Sequence, residues 1–206
     1  MAISSSLNGA FRRVPTRPIY ILCAAHIAWL FYSAATGGMG PEPIKALEHA
    51  YGETGLRLLV LVLAVTPLRK YTGVSLLKFR RALGLSAFFY IAAHLAVWLV
   101  LDVGELAHIW ADIVKRPYIT VGMAGFAALL PLALTSNNLS IRKMGATSWR
   151  KLHKLTYIAA LLGGAHYIML VKGIQLEPLI YTAVIIGLIA TRGKAAFGFM
   201  SARPRT

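Results

Sequence analysis

The sequence predicts an all-α integral membrane protein, a six-transmembrane-helix bundle with both termini cytoplasmic, and three observations carry that prediction. Hydrophobic residues make up 57% of the 206-residue chain and charged residues only 14%, with a mean hydropathy of +0.63, more apolar than a water-soluble domain of this size. The apolar residues come in blocks, and six blocks approach the length of about 20 residues needed to cross about 30 Å of hydrocarbon. The charges fall between the blocks, with a strong bias of sign from one side to the other.

The first block runs from Pro18 to Ala35 behind a basic start with Arg12, Arg13 and Arg17. Small residues at Ser33, Ala34 and Ala35 give it some likeness to a signal peptide, but its length and its His26, Trp29 and Tyr32 favour an uncleaved span. The second, Leu56 to Leu68, is short and reaches span length by extending back through Gly52 to Gly55, with Arg57 snorkelling to the interface. Leu83 to Leu101, Tyr118 to Thr135, Leu155 to Val171 and Leu176 to Thr191 complete the set. The chain is thus read as a basic segment over 1–17, a membrane bundle over 18–191 and a basic tail over 192–206. The outer stretches Thr36 to Gly55 and Asp102 to Pro117 have room for short surface helices, and Leu106, Ile109, Trp110 and Ile113 in the second recur at helical spacing.

With the amino terminus inside, the inner segments hold seventeen basic residues and no acidic one, including Arg69, Lys70, Lys78, Arg80 and Arg81 in one loop and Arg142, Lys143, Arg150, Lys151 and Lys154 in the next. All seven acidic residues and five basic ones fall outside. This is the positive-inside rule, and it fixes the topology. It also accounts for the net charge of +15 through lipid headgroups and orientation rather than through nucleic acid. The one cysteine, Cys23, lies in the first span, so no intrachain disulfide is expected.

Ionisable side chains inside a span are costly and mark functional sites. His94, His153 and His166 lie in or at the end of apolar blocks, and imidazole is a common axial ligand of haem iron. At 1.5 Å per residue His94 lies roughly 16 Å from the cytoplasmic edge of the third span, and His166 rises roughly 20 Å above His153 in the fifth. The two sit at similar depth on different helices, which suits the two axial positions of one haem. Iron held by two histidines has no open coordination position, so outer-sphere electron transfer is favoured over oxygen binding.

His153 differs. Thirteen residues from His166, it is offset by about 140° on a straight helix, unless the helix bends near Gly163 and Gly164. A third-span partner at its depth falls near Arg80 and Arg81, where no histidine stands. Arg80, Arg81, Arg150 and Lys151 suit a phosphate or a quinone headgroup, with Trp149 and Tyr157 near enough to stack on a flat ring. The same residues also serve as interfacial anchors. His26 is read as a helix-to-helix hydrogen bond, and His49 and His108 as surface residues. No glycine-rich phosphate loop suggests nicotinamide binding by this chain.

Several stretches carry a closer resemblance: FRRALGL (79–85) followed by His94, RPYITVG (116–122), LTSNN (134–138), WRKLHKLTYIAALLGGAHY (149–167) and GLRLLVLVLAVTPL (55–68). Together they resemble the MsrQ (YedZ) family of haem-binding membrane subunits from bacterial periplasmic protein-methionine-sulfoxide reductase systems, within the ferric-reductase-like transmembrane superfamily shared with NADPH oxidases. The resemblance implies a multi-pass inner-membrane protein that takes electrons from the quinone pool, or from a cytoplasmic flavin reductase through bound FMN. It implies that b-type haem passes them to a periplasmic molybdopterin-containing catalytic subunit, in a heterodimer that repairs oxidised envelope proteins. The family's haem histidines fall on His94, His166 and His153. The oxidase relatives carry a flavin and nicotinamide domain, whereas only a short basic tail follows the sixth block here, so a separate electron donor is expected.

Two other classes compete. A transporter would show polar or broken helices near the midplane, and the one acid in the six blocks, Glu177, stands at the outer end of the sixth, away from the midplane. A membrane anchor without redox cofactor would have no use for two histidines at one depth.

Overall fold

The computed structural model describes residues 2–192. Among these the chain is helical throughout, with no strand: α1 (Ala2–Arg13), α2 (Arg17–Ala35), α3 (Pro43–Thr72), α4 (Arg80–Val97), α5 (Leu106–Lys115), α6 (Pro117–Leu134), α7 (Asn138–Leu152), α8 (Leu155–Leu170) and α9 (Leu176–Ala190). Lys194, Arg203 and Arg205 of the basic tail lie outside the described residues. Among the described residues four segments are long and apolar enough to cross a membrane: α2, α3, Leu77–Val103 with α4 at its centre, and α6. The helices α8 and α9 are apolar but have 16 and 15 residues, short of the about 20 that a straight perpendicular span uses. The protein is a helical membrane protein.

The chain divides into two compact units, residues 1–120 and 121–206. In the first unit α3 has 30 residues, far more than the second block suggested, because the helix begins at Pro43 rather than near Gly52. Proline at a first turn forfeits nothing, since that N–H has no intrahelical partner. The helix ends at Gly73, whose φ of 75° closes the chain in the left-handed region with its N–H on the Arg69 carbonyl. Arg57 is met one turn away by Glu53, at 2.8 Å. The pairing of α3 with α4 dominates the unit. Gly55 brings the two backbones together, for a Cβ there would lie 2.6 Å from Ile91 Cγ1. Beyond Val97 the helix widens into a π turn, Trp98–Val103, that closes at Gly104 with φ 70°. The expected surface helix follows as α5.

Helix α1 was legible only as a basic segment. In the structure it docks on the loop between α3 and α4. The Asn8 amide donates to the Gly73 carbonyl (3.0 Å) and accepts from the Ser75 N–H (2.8 Å), Lys78 Nζ donates to the Arg12 carbonyl (2.6 Å), and Phe11 meets Phe79 edge to face. This clamp holds the approach to Arg80 and Arg81. Asn8→Ala removes both amide bonds, each worth about 1 kcal/mol net, and trypsin is expected to cut reconstituted protein at Lys78 several-fold faster than the wild type.

In the second unit small residues again set the helix spacing. A Cβ on Gly125 of α6 would sit 3.4 Å from Leu162 Cβ on α8, and one on Gly164 of α8 would sit 2.8 Å from Thr182 Oγ1 on α9. The sequence LTSNN is a helix stop followed by a start. Thr135 and Ser136 donate their hydroxyls to the Pro131 and Leu132 carbonyls, and Asn137 caps α7 by accepting from Ser140 N at 2.8 Å. Helix α7 is broken at Gly145 (φ 75°, ψ 149°), a conformation open to glycine alone.

Candidate functional site: histidines seated on glycines

His94 is half-buried on α4, with its ring against α3 at Gly52. A Cβ on Gly52 would fall 3.1 Å from His94 Nδ1 and 3.3 Å from Cε1, so glycine gives the imidazole its place. Nδ1 lies 2.9 Å from the Glu48 carbonyl oxygen, one turn before Gly52. A carbonyl only accepts, so Nδ1 carries the proton and Nε2 carries the lone pair. A histidine that ligates a metal is commonly oriented in this way, with one nitrogen donating to a backbone carbonyl and the other offered to the metal.

His166, half-buried on α8, has the same kind of seat in the second unit. A Cβ on Gly122 of α6 would fall 2.8 Å from its Nδ1 and 3.0 Å from Cε1. Neither glycine stood out in the sequence as a site residue. The signal for Gly122 was present all the same, because it closes the motif RPYITVG.

His153 is held differently, and here the structure corrects the sequence reading. The sequence places it at the cytoplasmic end of the helix that carries His166. It lies instead in the turn between α7 and α8, and α8 runs unbroken from Leu155 to Leu170 through Gly163 and Gly164. The 140° offset, which assumed one straight helix, therefore does not describe its direction. Its Nε2 is 3.0 Å from Thr135 Oγ1, and that hydroxyl donates to the Pro131 carbonyl at 2.6 Å. With the hydroxyl proton so used, the His153 Nε2–H donates to Thr135, the tautomer opposite to that of His94. Trp149 stacks on the imidazole, centroids 3.7 Å apart and planes 26° apart, and donates its Nε1–H to the Thr135 carbonyl. One face of Trp149, expected to be open to a flat cofactor, is thus covered by His153.

Arg80 and Arg81 open α4 in the first unit. Arg150 and Lys151 close α7 in the second, both exposed, and Arg150 reaches Thr147 Oγ1 at 3.4 Å. Tyr157 accepts from Arg192 Nη1 at 2.8 Å. His26 makes the helix-to-helix bond expected of it, its Nδ1 lying 2.6 Å from Tyr90 Oη.

Among the described residues no three His, Cys, Asp or Glu side chains gather to hold a bare metal ion. Haem asks for less, because the porphyrin supplies four iron ligands and the protein two. His94, with its tautomer fixed and a glycine cradle under its ring, fits that demand, and His166 has a glycine cradle of its own at Gly122.

The ferric reductase like transmembrane component family matches residues 51–164. Proteins of Brucella ovis, Brucella melitensis and Brucella suis named protein-methionine-sulfoxide reductase heme-binding subunit MsrQ are each 51% identical over 165 residues, covering 80% of this chain and 74% of theirs. No solved structure matches the chain. A helical membrane chain with glycine-seated histidines, matched over more than half its length by that family and at 51% identity by these relatives, belongs to the ferric-reductase-like transmembrane family and, within it, to the MsrQ haem-binding subunits.

Proposed function

We propose that the protein is the b-type-haem electron-transfer subunit of a methionine-sulfoxide reductase in the bacterial inner membrane, with six spans and both termini cytoplasmic. Residues 18–191 form the haem-carrying part, between basic segments 1–17 and 192–206. Electrons enter from the quinone pool, or from a cytoplasmic flavin reductase through FMN, and leave to a periplasmic molybdopterin-containing catalytic subunit. The observation that carries this reading is the His94 imidazole, seated over Gly52 with its Nδ1 held by the Glu48 carbonyl.

In this reading His94 and His166 would hold the haem, which would supply one-electron chemistry at its iron. The chain's own residues position the ligands: Gly52 and Gly122 admit the two rings, and the Glu48 carbonyl keeps His94 from rotating or changing tautomer. His153, with Arg80, Arg81, Arg150 and Lys151, serves the cytoplasmic entry point. The cationic side chains match the phosphate of FMN, and the Thr135 bond to His153 Nε2 favours a flavin port over a second haem there.

The test is the pyridine haemochrome and flavin content of detergent-purified wild type beside His153→Ala. The wild type should show a Soret band that shifts on reduction, where an anchor or a transporter would be colourless. Haem near one per chain in both proteins, with FMN lost from the variant, is the expected result. Loss of a whole haem from His153→Ala would make His153 a ligand of a second haem instead.

A further inference from the structure

Helix α2 has no buried residue. Cys23, Ile27, Leu30 and Ala34 rest one side of it on the cluster of Leu47, Tyr51, Tyr90 and Val97. Beside that contact Leu22, His26 and Trp29 recur at i, i+4 and i+7 and form a strip. All three are exposed, Leu22 to 68% and Trp29 to 62%. His26 is nine residues into the helix, roughly 14 Å from its cytoplasmic end, which puts it near the middle of the hydrocarbon. An imidazole open to lipid there is costly unless its polar atoms are met.

One of them is met from inside the protein. Tyr90, 1% exposed, has its hydroxyl 2.6 Å from His26 Nδ1 and 3.2 Å from the Cys23 carbonyl oxygen. The carbonyl only accepts, so the single hydroxyl proton goes to Cys23. Both contacts are then hydrogen bonds only if His26 donates from Nδ1 to Tyr90 Oη. This tautomer leaves Nε2 as a bare acceptor.

We infer that His26 is a docking site for the reduced headgroup of a membrane quinone, a quinol, entering sideways from the bilayer. The occupant has to dissolve in hydrocarbon, because α2 displays apolar side chains around the imidazole. It has to donate a hydrogen bond, because Nε2 in this tautomer only accepts; a quinol hydroxyl does so and a quinone carbonyl does not. It gains by being flat and aromatic, since Trp29 offers an indole one turn away on the same strip. The inference rests on the proposed redox role only in supposing that such a donor is used, and it gives the quinone pool a place of contact.

The experiment uses the full chain in phosphatidylcholine nanodiscs, with empty nanodiscs as the baseline. Retention of radiolabelled duroquinol is measured under argon with dithionite present, and that of duroquinone without reductant. The wild type should retain the quinol saturably and several-fold more tightly than the quinone. His26→Phe, which keeps an apolar ring, should weaken quinol retention about tenfold, as expected for one lost hydrogen bond in an apolar medium, with the Soret band unchanged. Tyr90→Phe should erase the preference for the reduced form while leaving some retention, because His26 is then free to carry its proton on either nitrogen.

Wild-type retention by His26→Phe overturns the inference, and so does a wild type that retains no quinol. If His26→Phe instead lowers the number of chains per nanodisc, a helix of a second copy covers His26 and the quinol does not. Retention is read without turnover, so a wild type lacking a Soret band would count against the haem assignment alone.

Discussion

Replacing either His94 or His166 by alanine is expected to lower haem per chain at least tenfold and to stop electron delivery to the reductase partner. In the proposed pair each histidine supplies one of the two protein ligands of the iron, and neither has a substitute within its own turn of helix. For His94 the loss is twofold. Alanine removes the Nε2 ligand and also the Nδ1 bond to the Glu48 carbonyl at 2.9 Å, leaving an empty space above Gly52. The measurement is pyridine haemochrome per mole of purified chain. Ligand loss separates from misfolding by adding free imidazole, which should re-form a low-spin spectrum in His94→Ala but not in a collapsed protein. Full haem retention in both variants would sink the assignment of this pair.

Much of this arrangement was legible in the sequence, for identifiable reasons. Burial in lipid imposes long apolar blocks, so the starts of α2, α6, α8 and α9 fall within a residue of the blocks read from composition. The second block falls short of helix α3 because the first four turns of α3 carry Glu48, His49, Glu53 and Arg57, and hydropathy cannot tell a polar helix from a polar loop. The extension becomes understandable only with partners in view, since Leu47 and Tyr51 in those turns are buried and Tyr51 donates to the Ile27 carbonyl at 2.8 Å. His153 was misplaced for a related reason: LHKLTY continues an apolar periodicity, and what interrupts the helix there is a tertiary clasp by Thr135 and Trp149. Thr135 and Gly122 do stand inside LTSNN and RPYITVG. Resemblance marked those motifs as characteristic, and the structure gives the chemistry, a hydroxyl on one histidine and a seat for another.

The seats lead to the second large effect. Gly122→Ala places a methyl carbon 2.8 Å from His166 Nδ1 and 3.0 Å from Cε1, closer than carbon approaches such atoms. The ring has to swing by several tenths of an ångström, or α6 and α8 have to part where they pack so closely that a Cβ on Gly125 would stand 3.4 Å from Leu162 Cβ. Overpacking of this kind costs typically 1–3 kcal/mol, and a ligand displaced from the iron spends that cost on haem affinity. The expected result is transfer of haem to apomyoglobin about tenfold faster than from the wild type, with every histidine still present. Gly52→Ala is the graded control, because its methyl would stand 3.1 and 3.3 Å from the His94 ring, a contact relieved by a smaller shift, and the Glu48 carbonyl still holds Nδ1. Its rate should rise less than threefold. If Gly122→Ala releases haem at the wild-type rate, the seat under His166 has no bearing on haem binding, and His166 would lose the structural argument for its place in the pair. If Gly52→Ala proves the more damaging, the two rings respond to crowding in the reverse of the order set by these distances, and the hydrogen bond to Glu48 does not steady His94 as argued.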